Sequence, residues 1–311
     1  MNLLPEWAAI APKGLRAFSF GGGVQSHAVL VLQALGKLPV SYDVFFFSNV
    51  GHDSENPETL AYLEQYTRPF CAQHGIELVE LRRVKRGHGE VTLVEEIFYQ
   101  QRSIIIPAHF GTGGYGNRNC TTDFKVRVID RFIRNAKYHY AVIGLGISVD
   151  EYARARSTEW HHHEGQDYED DVPRYVQASF LPAEPQQPKK PSSPRDIGFW
   201  KRREYPLIEL RLSRDACHRI IEEAGLPVPP KSSCFFCPFK RPNEWINLKR
   251  ERPDLFGRAV EIEAAINEKR LHLAKDGMFL HRWKRPLELA VGDQNVMFEE
   301  DAVCDSGYCM V

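Results

Sequence analysis

Apolar residues in the first half of the chain follow two alternating rhythms. Short, mostly apolar runs fall at Leu15 to Phe20, Asp43 to Ser48, Glu77 to Leu81 and Tyr140 to Leu145. Their length and aromatic or β-branched content predict strands buried on both faces. Between them lie stretches with apolar positions at helical spacing. These are Ser26 to Leu35, Asp123 to Arg134, and Pro57 to His74 with Leu60, Leu63, Tyr66 and Phe70 in register and Gly75 as its stop. Such alternation predicts an α/β fold: a parallel sheet with helices on both faces and a ligand crevice at the carboxyl ends of the strands.

From about Ser157 to Trp200 the periodicity stops, in a segment with three consecutive histidines, an acidic patch and several prolines. This predicts a long irregular insertion or lid, with His161 to His163 as solvated loop residues or a minor metal candidate. Regular structure resumes with a strand over Tyr205 to Leu210. A helix follows over Arg214 to Ala224, capped by Ser213 and stopped by Gly225. Two further helices, Pro242 to Arg250 and Pro253 to Arg270, form a smaller helical, cysteine-containing C-terminal region. The predicted organisation is therefore an α/β domain over 1–156, the insertion over 157–200, and completion of that domain plus the helical region over 201–311.

The first strand runs into Gly21-Gly22-Gly23 and out into a helix start. Glycines let the backbone take positive φ and bring its N–H groups close to a ligand. The helix start adds unpaired N–H donors and the positive end of a dipole, so this turn is suited to an anion such as phosphate. No Lys-Ser or Lys-Thr follows the last glycine, and the G-x-G-x-x-G spacing is absent. The loop is thus neither a Walker loop nor a dinucleotide fingerprint.

Composition narrows the setting without changing this picture. A chain of 311 residues with 43% hydrophobic and 26% charged residues can bury a sizeable core. A net charge of -1 gives no global pull toward nucleic acid or an anionic membrane. Basic runs at Arg82 to Arg86, Lys201 to Arg203 and Arg282 to Arg285 remain local phosphate-contact candidates. No apolar stretch approaches the ~20 residues of a membrane span, and no signal-peptide pattern opens the chain. A cytoplasmic location is the expectation, and there the seven cysteines would be thiols, metal ligands or redox groups rather than structural disulfides.

Cys234-Phe-Phe-Cys237 has the spacing at which two sulfurs can face one metal ion or cluster. Together with Cys120 and one tail cysteine, Cys309 or Cys304, it could hold a 4Fe–4S cluster or a structural zinc. Otherwise the pair is a redox dithiol or unliganded. Cys71 and Cys217 fall within helical patterns and read as buried small hydrophobes.

Five segments in order, SFGGGVQS, FFFSNVGHDSENPETLAYLEQY, NCTTDFKVRVI, GLGISVDEYARAR and YPLIEL through SSCFFCPF, resemble motifs of the PP-loop superfamily of adenine-nucleotide α-hydrolases. More closely they resemble its phosphoadenosine-phosphosulfate reductase family. Gly21 stands where the PP-loop usually has Ser, Gln25 where it has Asp, and Asn119 where cluster-bearing reductases have the first of two cysteines. The resemblance implies a PP-loop Rossmann-like fold with Ser19, Gly21, Gly22, Gly23, Gln25 and Ser26 around the phosphates. Asn49, Gly51 and Gly144 would lie near the rest of the nucleotide. Asp150, Glu151 and Arg154 would serve Mg²⁺ and the leaving group, and Arg118 and Lys125 a second anionic group.

The resemblance implies adenylation of an acceptor by ATP for sulfur transfer, the acceptor being a nucleic acid or a small molecule. The alternative it leaves open is a sulfonucleotide reductase, in which a tail thiolate attacks the sulfonate sulfur. A third reading, resting on the missing acidic residue of the loop, is a non-catalytic nucleotide-binding module of a defence or mobile-element system. No partner protein is indicated.

Overall fold

The structure is a computed structural model that describes residues 13–85, 87–99, 104–163, 174–175, 199–273 and 275–292. Its strands are β1 (Gly14–Phe20), β2 (Val44–Asn49), β3 (Leu78–Arg82), β4 (Val84–Lys85), β5 (Gly89–Glu90), β6 (His109–Phe110), β7 (Tyr140–Leu145), β8 (His161–His163), β9 (Arg174–Tyr175), β10 (Phe199–Glu204) and β11 (Met278–Phe279). The helices are α1 (Val24–Ala34), α2 (Pro57–Tyr62), α3 (Arg68–Gln73), α4 (Leu93–Tyr99), α5 (Asn119–Thr121), α6 (Arg127–Asn135), α7 (Pro206–Glu209), α8 (Arg214–Glu223), α9 (Pro242–Glu251), α10 (Pro253–His272) and α11 (Leu287–Ala290).

The main sheet has the order β8-β10-β7-β1-β2-β3-β9. Its five central strands are parallel, and short antiparallel β8 and β9 close the two edges. From β1 the chain moves outward to β2 and β3, then crosses to the other side for β7 and β10. The strand order therefore reverses between β1 and β7, the place where open α/β sheets form their ligand crevice.

Each strand sends alternate residues to opposite faces. Phe18, Phe20, Phe45 and Phe47 pack with α1, the α2–α3 segment, α7 and α8. Ala17, Phe46, Val79, Ile143 and Leu145 pack with α6. The buried aromatic run of β2 follows from this, because both of its faces are covered. A third core, built on Trp245, Phe256 and Ile262, joins the C-terminal helices to α4, Ile105, Ile106 and the Phe235–Phe236 pair.

Local caps agree with the sequence. Asn56 accepts the Glu58 N–H at 3.2 Å with Pro57 in the first turn of α2, and Ser213 accepts the Ala216 N–H at 3.2 Å at the start of α8. Gly75 and Gly225 end helices at φ +63° and +76°.

Two expectations are corrected. Tyr205 to Leu210 is not a strand. Pro206 opens the short helix α7, and the strand beside β7 is β10, over residues predicted to belong to the insertion and the start of the next region. His161 to His163 is not an irregular loop but edge strand β8, paired with Phe199 to Lys201. Of the rest of the predicted lid, 164–173 and 176–198 lie outside the described residues, Arg174–Tyr175 form β9, and residues 199 and 200 open β10.

Among the described residues no helix is long and apolar enough to cross a membrane.

Candidate nucleotide site at the sheet switch point

The glycine turn closes β1 at the reversal point. Gly22 has φ +74°, the left-handed region that favours glycine, and a Cβ there would stand 3.0 Å from Thr59 Cγ2. Gly23 is the N-cap of α1 and no side chain caps the helix. The first N–H to return to the turn is that of His27, which donates to the Gly23 carbonyl at 3.1 Å. The N–H groups of Val24, Gln25 and Ser26 stand ahead of that ladder, as the leading donors of any helix do.

His27 pins the turn from behind. One ring nitrogen, Nδ1, lies 2.9 Å from the Gly23 carbonyl and Nε2 lies 2.8 Å from Thr67 Oγ1. A carbonyl only accepts, so Nδ1 carries the proton and the Thr67 hydroxyl donates to Nε2. Burial pushes the imidazole down to about 4, so the ring is neutral near pH 7.

Ser26 departs from its expected role. Its hydroxyl is buried and donates to the Gly23 carbonyl at 2.8 Å, so it shapes the turn and only its N–H is left to face a ligand. Gln25, half-buried, lies in the same first helical turn.

The exit of β7 lies across from the glycine turn. A Cβ at Gly146 would come within 3.2 Å of the Ser26 nitrogen, so a glycine keeps open the space before that donor. Gly144, expected near the nucleotide, instead leaves room for the Tyr42 ring. Its smallness is a packing requirement inside the sheet.

Asp150 is also reassigned. Its Oδ2 accepts the Arg214 N–H at 2.5 Å, so it caps the N-terminus of α8. Glu151 and Arg154 form a mostly buried ion pair in the helical turn that follows β7. At the end of β2, Asn49 donates to Glu80 at 2.9 Å and accepts the Gly51 N–H at 2.8 Å. Gly51, at φ +123°, packs on Thr92. Asn49 and Gly51 thus hold the β2 exit rather than presenting free groups.

The switch point is lined with unpaired polarity. The hydroxyl oxygens of Ser48, Thr59 and Ser148 are buried and have no hydrogen-bond partner among the described residues. Thr59 touches the Gly22 position, Ser48 follows Phe47 at the level of the glycine turn, and Ser148 follows the β7 exit. A buried hydroxyl left without a partner costs about 1–3 kcal/mol, so Thr59 at the glycine turn, with Ser48 and Ser148 at the ends of the flanking strands, fits a polar ligand.

Sequence reasoning did not single out Ser232, which covers the turn from the C-terminal side. Its hydroxyl donates to the Gly21 carbonyl. Next to it, Lys231 pairs with Glu244 at 2.9 Å, and Cys234 bridges to Glu55. The signal was available in Lys231-Ser-Ser-Cys234, but it was overshadowed by the cysteines.

Ser19 and Lys125 are brought together in a cleft on the α6 side of the sheet, whereas Arg118 lies apart from them. Its guanidinium sits 5.3 Å from the centre of the Phe239 ring, beside the C-x-x-C turn.

The cysteines do not assemble as expected. Tyr115, His109 and Arg118 place the Cys120 segment against the turn that follows Cys237, and Cys120 and Cys234 pack on one core. Among the described residues, however, no group of three His, Cys, Asp or Glu side chains is arranged to hold a metal ion. Cys304 and Cys309 lie outside the described residues. The thiolate chemistry suits a cluster or zinc, but the described arrangement does not fit either. The carboxylates expected to hold Mg²⁺ are likewise engaged with Arg214 and Arg154. Cys71 and Cys217 are the buried apolar thiols anticipated, each pushed by burial up to about 12.

No family model and no curated protein matches the chain. Among solved structures it is similar to the U34-tRNA thiolase NcsA from Methanococcus maripaludis, solved with its [4Fe-4S] cluster. The match has 15% identity and a TM-score of 0.34 and covers 85% of this chain and 72% of that one. A likeness of that degree transfers neither activity nor ligand.

Proposed function

We propose that the chain is a PP-loop-type enzyme that uses ATP to adenylate an acceptor for sulfur transfer. One observation carries this reading. A side-chain-free turn opens onto uncapped helix N–H groups at the reversal of strand order, with the buried, unpartnered Thr59 hydroxyl at Gly22 and those of Ser48 and Ser148 at the ends of the flanking strands. That arrangement suits a phosphate chain, and its backbone donors need no reorganisation as charge develops during transfer.

In the proposed step an acceptor oxygen attacks the α-phosphorus. The new P–O bond forms as the α–β anhydride bond breaks, and pyrophosphate carries away the electron pair. The N–H groups of Val24 to Ser26 hold the departing phosphates, and Arg154, kept in place by Glu151, offsets their charge. A sulfur nucleophile then displaces AMP from the activated carbon. Gln25 and Gly146 border the nucleotide in this reading, and no step is routed through a cluster, zinc or Mg²⁺.

The test pairs binding with product analysis. Isothermal titration of the full chain with ATP should show one site, weakened at least tenfold by Gly22→Val, which strains φ and crowds Thr59. Incubation with ATP and pooled candidate acceptors should release pyrophosphate. Sulfite from adenylyl sulfate or its 3′-phosphorylated form, without pyrophosphate from ATP, would transfer the assignment to a sulfonucleotide reductase. Tight ATP binding with neither product would leave a binding module.

A further inference from the structure

Beside the glycine turn, on the opposite face of β1, lies a cleft of about 80 Å³ that the adenylation step does not use. One water needs ~10–15 Å³ measured in this way, so the space holds a group of several heavy atoms. Ser19, Thr121, Lys125, Asp130, Lys201 and Arg203 supply its polar lining, with Ile129, Ile143 and Leu145 as its apolar floor. Ser19 pairs in register with Leu145, and Arg203 with Ile143, which puts these strand residues on one face beneath α6.

Two cations on one inner strand of a sheet are unusual. Lys201 is 6% exposed, and its ammonium donates to Asp130 Oδ1 at 2.5 Å. Desolvation pulls its pKa down, while Asp130 holds the charge in place. Arg203 is half-buried and raises the positive field at Lys201. Its guanidinium makes no hydrogen bond or ion pair among the described residues. Asp130 thus holds Lys201, the deeper of the two cations on β10. A half-buried guanidinium with its fork of donors unused matches the geometry of a tetrahedral oxyanion.

We propose that this cleft is a second oxyanion subsite, separate from the glycine turn, which takes the phosphate-monoester or sulfate-like group of a co-substrate. Arg203 gives bidentate recognition, Lys201 and Lys125 contribute charge, and the Ser19 and Thr121 hydroxyls complete the shell. The position accords with the adenylation reading, since Ser19 is two residues ahead of Gly21, but the subsite itself does not depend on that reading.

The experiment is a calorimetric titration of the full chain with inorganic phosphate and with sulfate, in wild type, Arg203→Gln and Gly22→Val. Arg203 lies toward the rim, so its glutamine variant should melt within a few degrees of wild type, whereas Lys201 variants would leave Asp130 buried and unpaired. Phosphate should bind wild type and Gly22→Val alike, with affinity about tenfold lower in Arg203→Gln and intermediate in Arg203→Lys. ATP affinity in Arg203→Gln should stay within about twofold of wild type. Unchanged phosphate binding in Arg203→Gln, its loss in Gly22→Val alone, or competition between phosphate and ATP for one site would overturn the proposal. Should wild type bind phosphate in the Arg203-dependent manner yet fail to bind ATP, the adenylation reading would fall and the subsite would stand.

Discussion

Gly144 and Gly22 show how glycines of similar appearance do different work. At Gly22 the backbone has positive φ beside the ligand space, whereas at Gly144 the strand is ordinary and only the Tyr42 ring forbids a side chain. Gly144→Ala should therefore destabilise the fold by about 1–3 kcal/mol through overpacking and leave ATP affinity within about twofold. Adding Tyr42→Leu should recover part of that loss, so the two changes should be less than additive in urea titrations. His27 makes a pH prediction. Above pH 6.5 the ring is neutral in both folded and unfolded chains, and its contribution is fully present. Between pH 6.5 and about 4 the unfolded chain takes up a proton that the folded one refuses, so stability falls as pH falls. A shift of that size amounts to about 3 kcal/mol by pH 4. His27→Gln should flatten this limb in urea midpoints measured against pH. The half-buried His163 and the buried His281, also lowered to about 4, will keep part of the slope in the variant.

At the scale of elements, Asp150 belongs to the start of α8. Its carboxylate receives the Arg214 N–H one residue beyond the Ser213 cap, so two side chains satisfy leading donors of one helix. Asp150→Ala should cost about 1 kcal/mol and lower Tm by a few degrees, with no loss of nucleotide affinity beyond twofold. A loss of turnover by several hundredfold at unchanged Tm would return Asp150 to a metal-holding role. The same elements show what was legible in the chain. Strands β1, β2, β3 and β7 announce themselves because both faces are covered and most positions are apolar. Strand β10 does not, since Phe199-Trp-Lys-Arg-Arg-Glu204 sends Lys201 and Arg203 into a polar cleft on one face and Glu204 toward Arg16 on the other. Charge inside the sheet disguised it as loop. The next segment, Tyr205 to Leu210, carried the apolar residues and drew the strand assignment, but Pro206 suits a first helical turn better than a central ladder. The glycine turn was legible for a simple reason: three glycines between a strand and a helix have few other uses. Ser232 and Arg203 were not, because each gains its meaning only from a partner far away in sequence.

Across the whole molecule, the two regions with chemistry are joined by a short bridge. The segment from Lys231 to Cys237 leaves the glycine turn, where Ser232 donates to the Gly21 carbonyl, and ends in the half-buried Cys234 and buried Cys237. It is held on its other side by Lys231 on Glu244 of α9 and by the Cys234–Glu55 bridge. Cys234 is therefore two residues of chain and one hydrogen bond away from the proposed phosphate turn. A ligand that orders the turn must order the bridge as well, because the Gly21 carbonyl cannot move without its Ser232 donor. Coupling of this kind is reciprocal and typically worth 1–3 kcal/mol. Alkylation of Cys234 by a maleimide should thus slow about fivefold or more when ATP is bound, as read by mass spectrometry of the modified peptide. Ser232→Ala should abolish most of that protection while retaining ATP binding, since the helix N–H groups are untouched. Equal protection in the variant would show that the bridge transmits nothing and that nucleotide shields the thiol by contact alone.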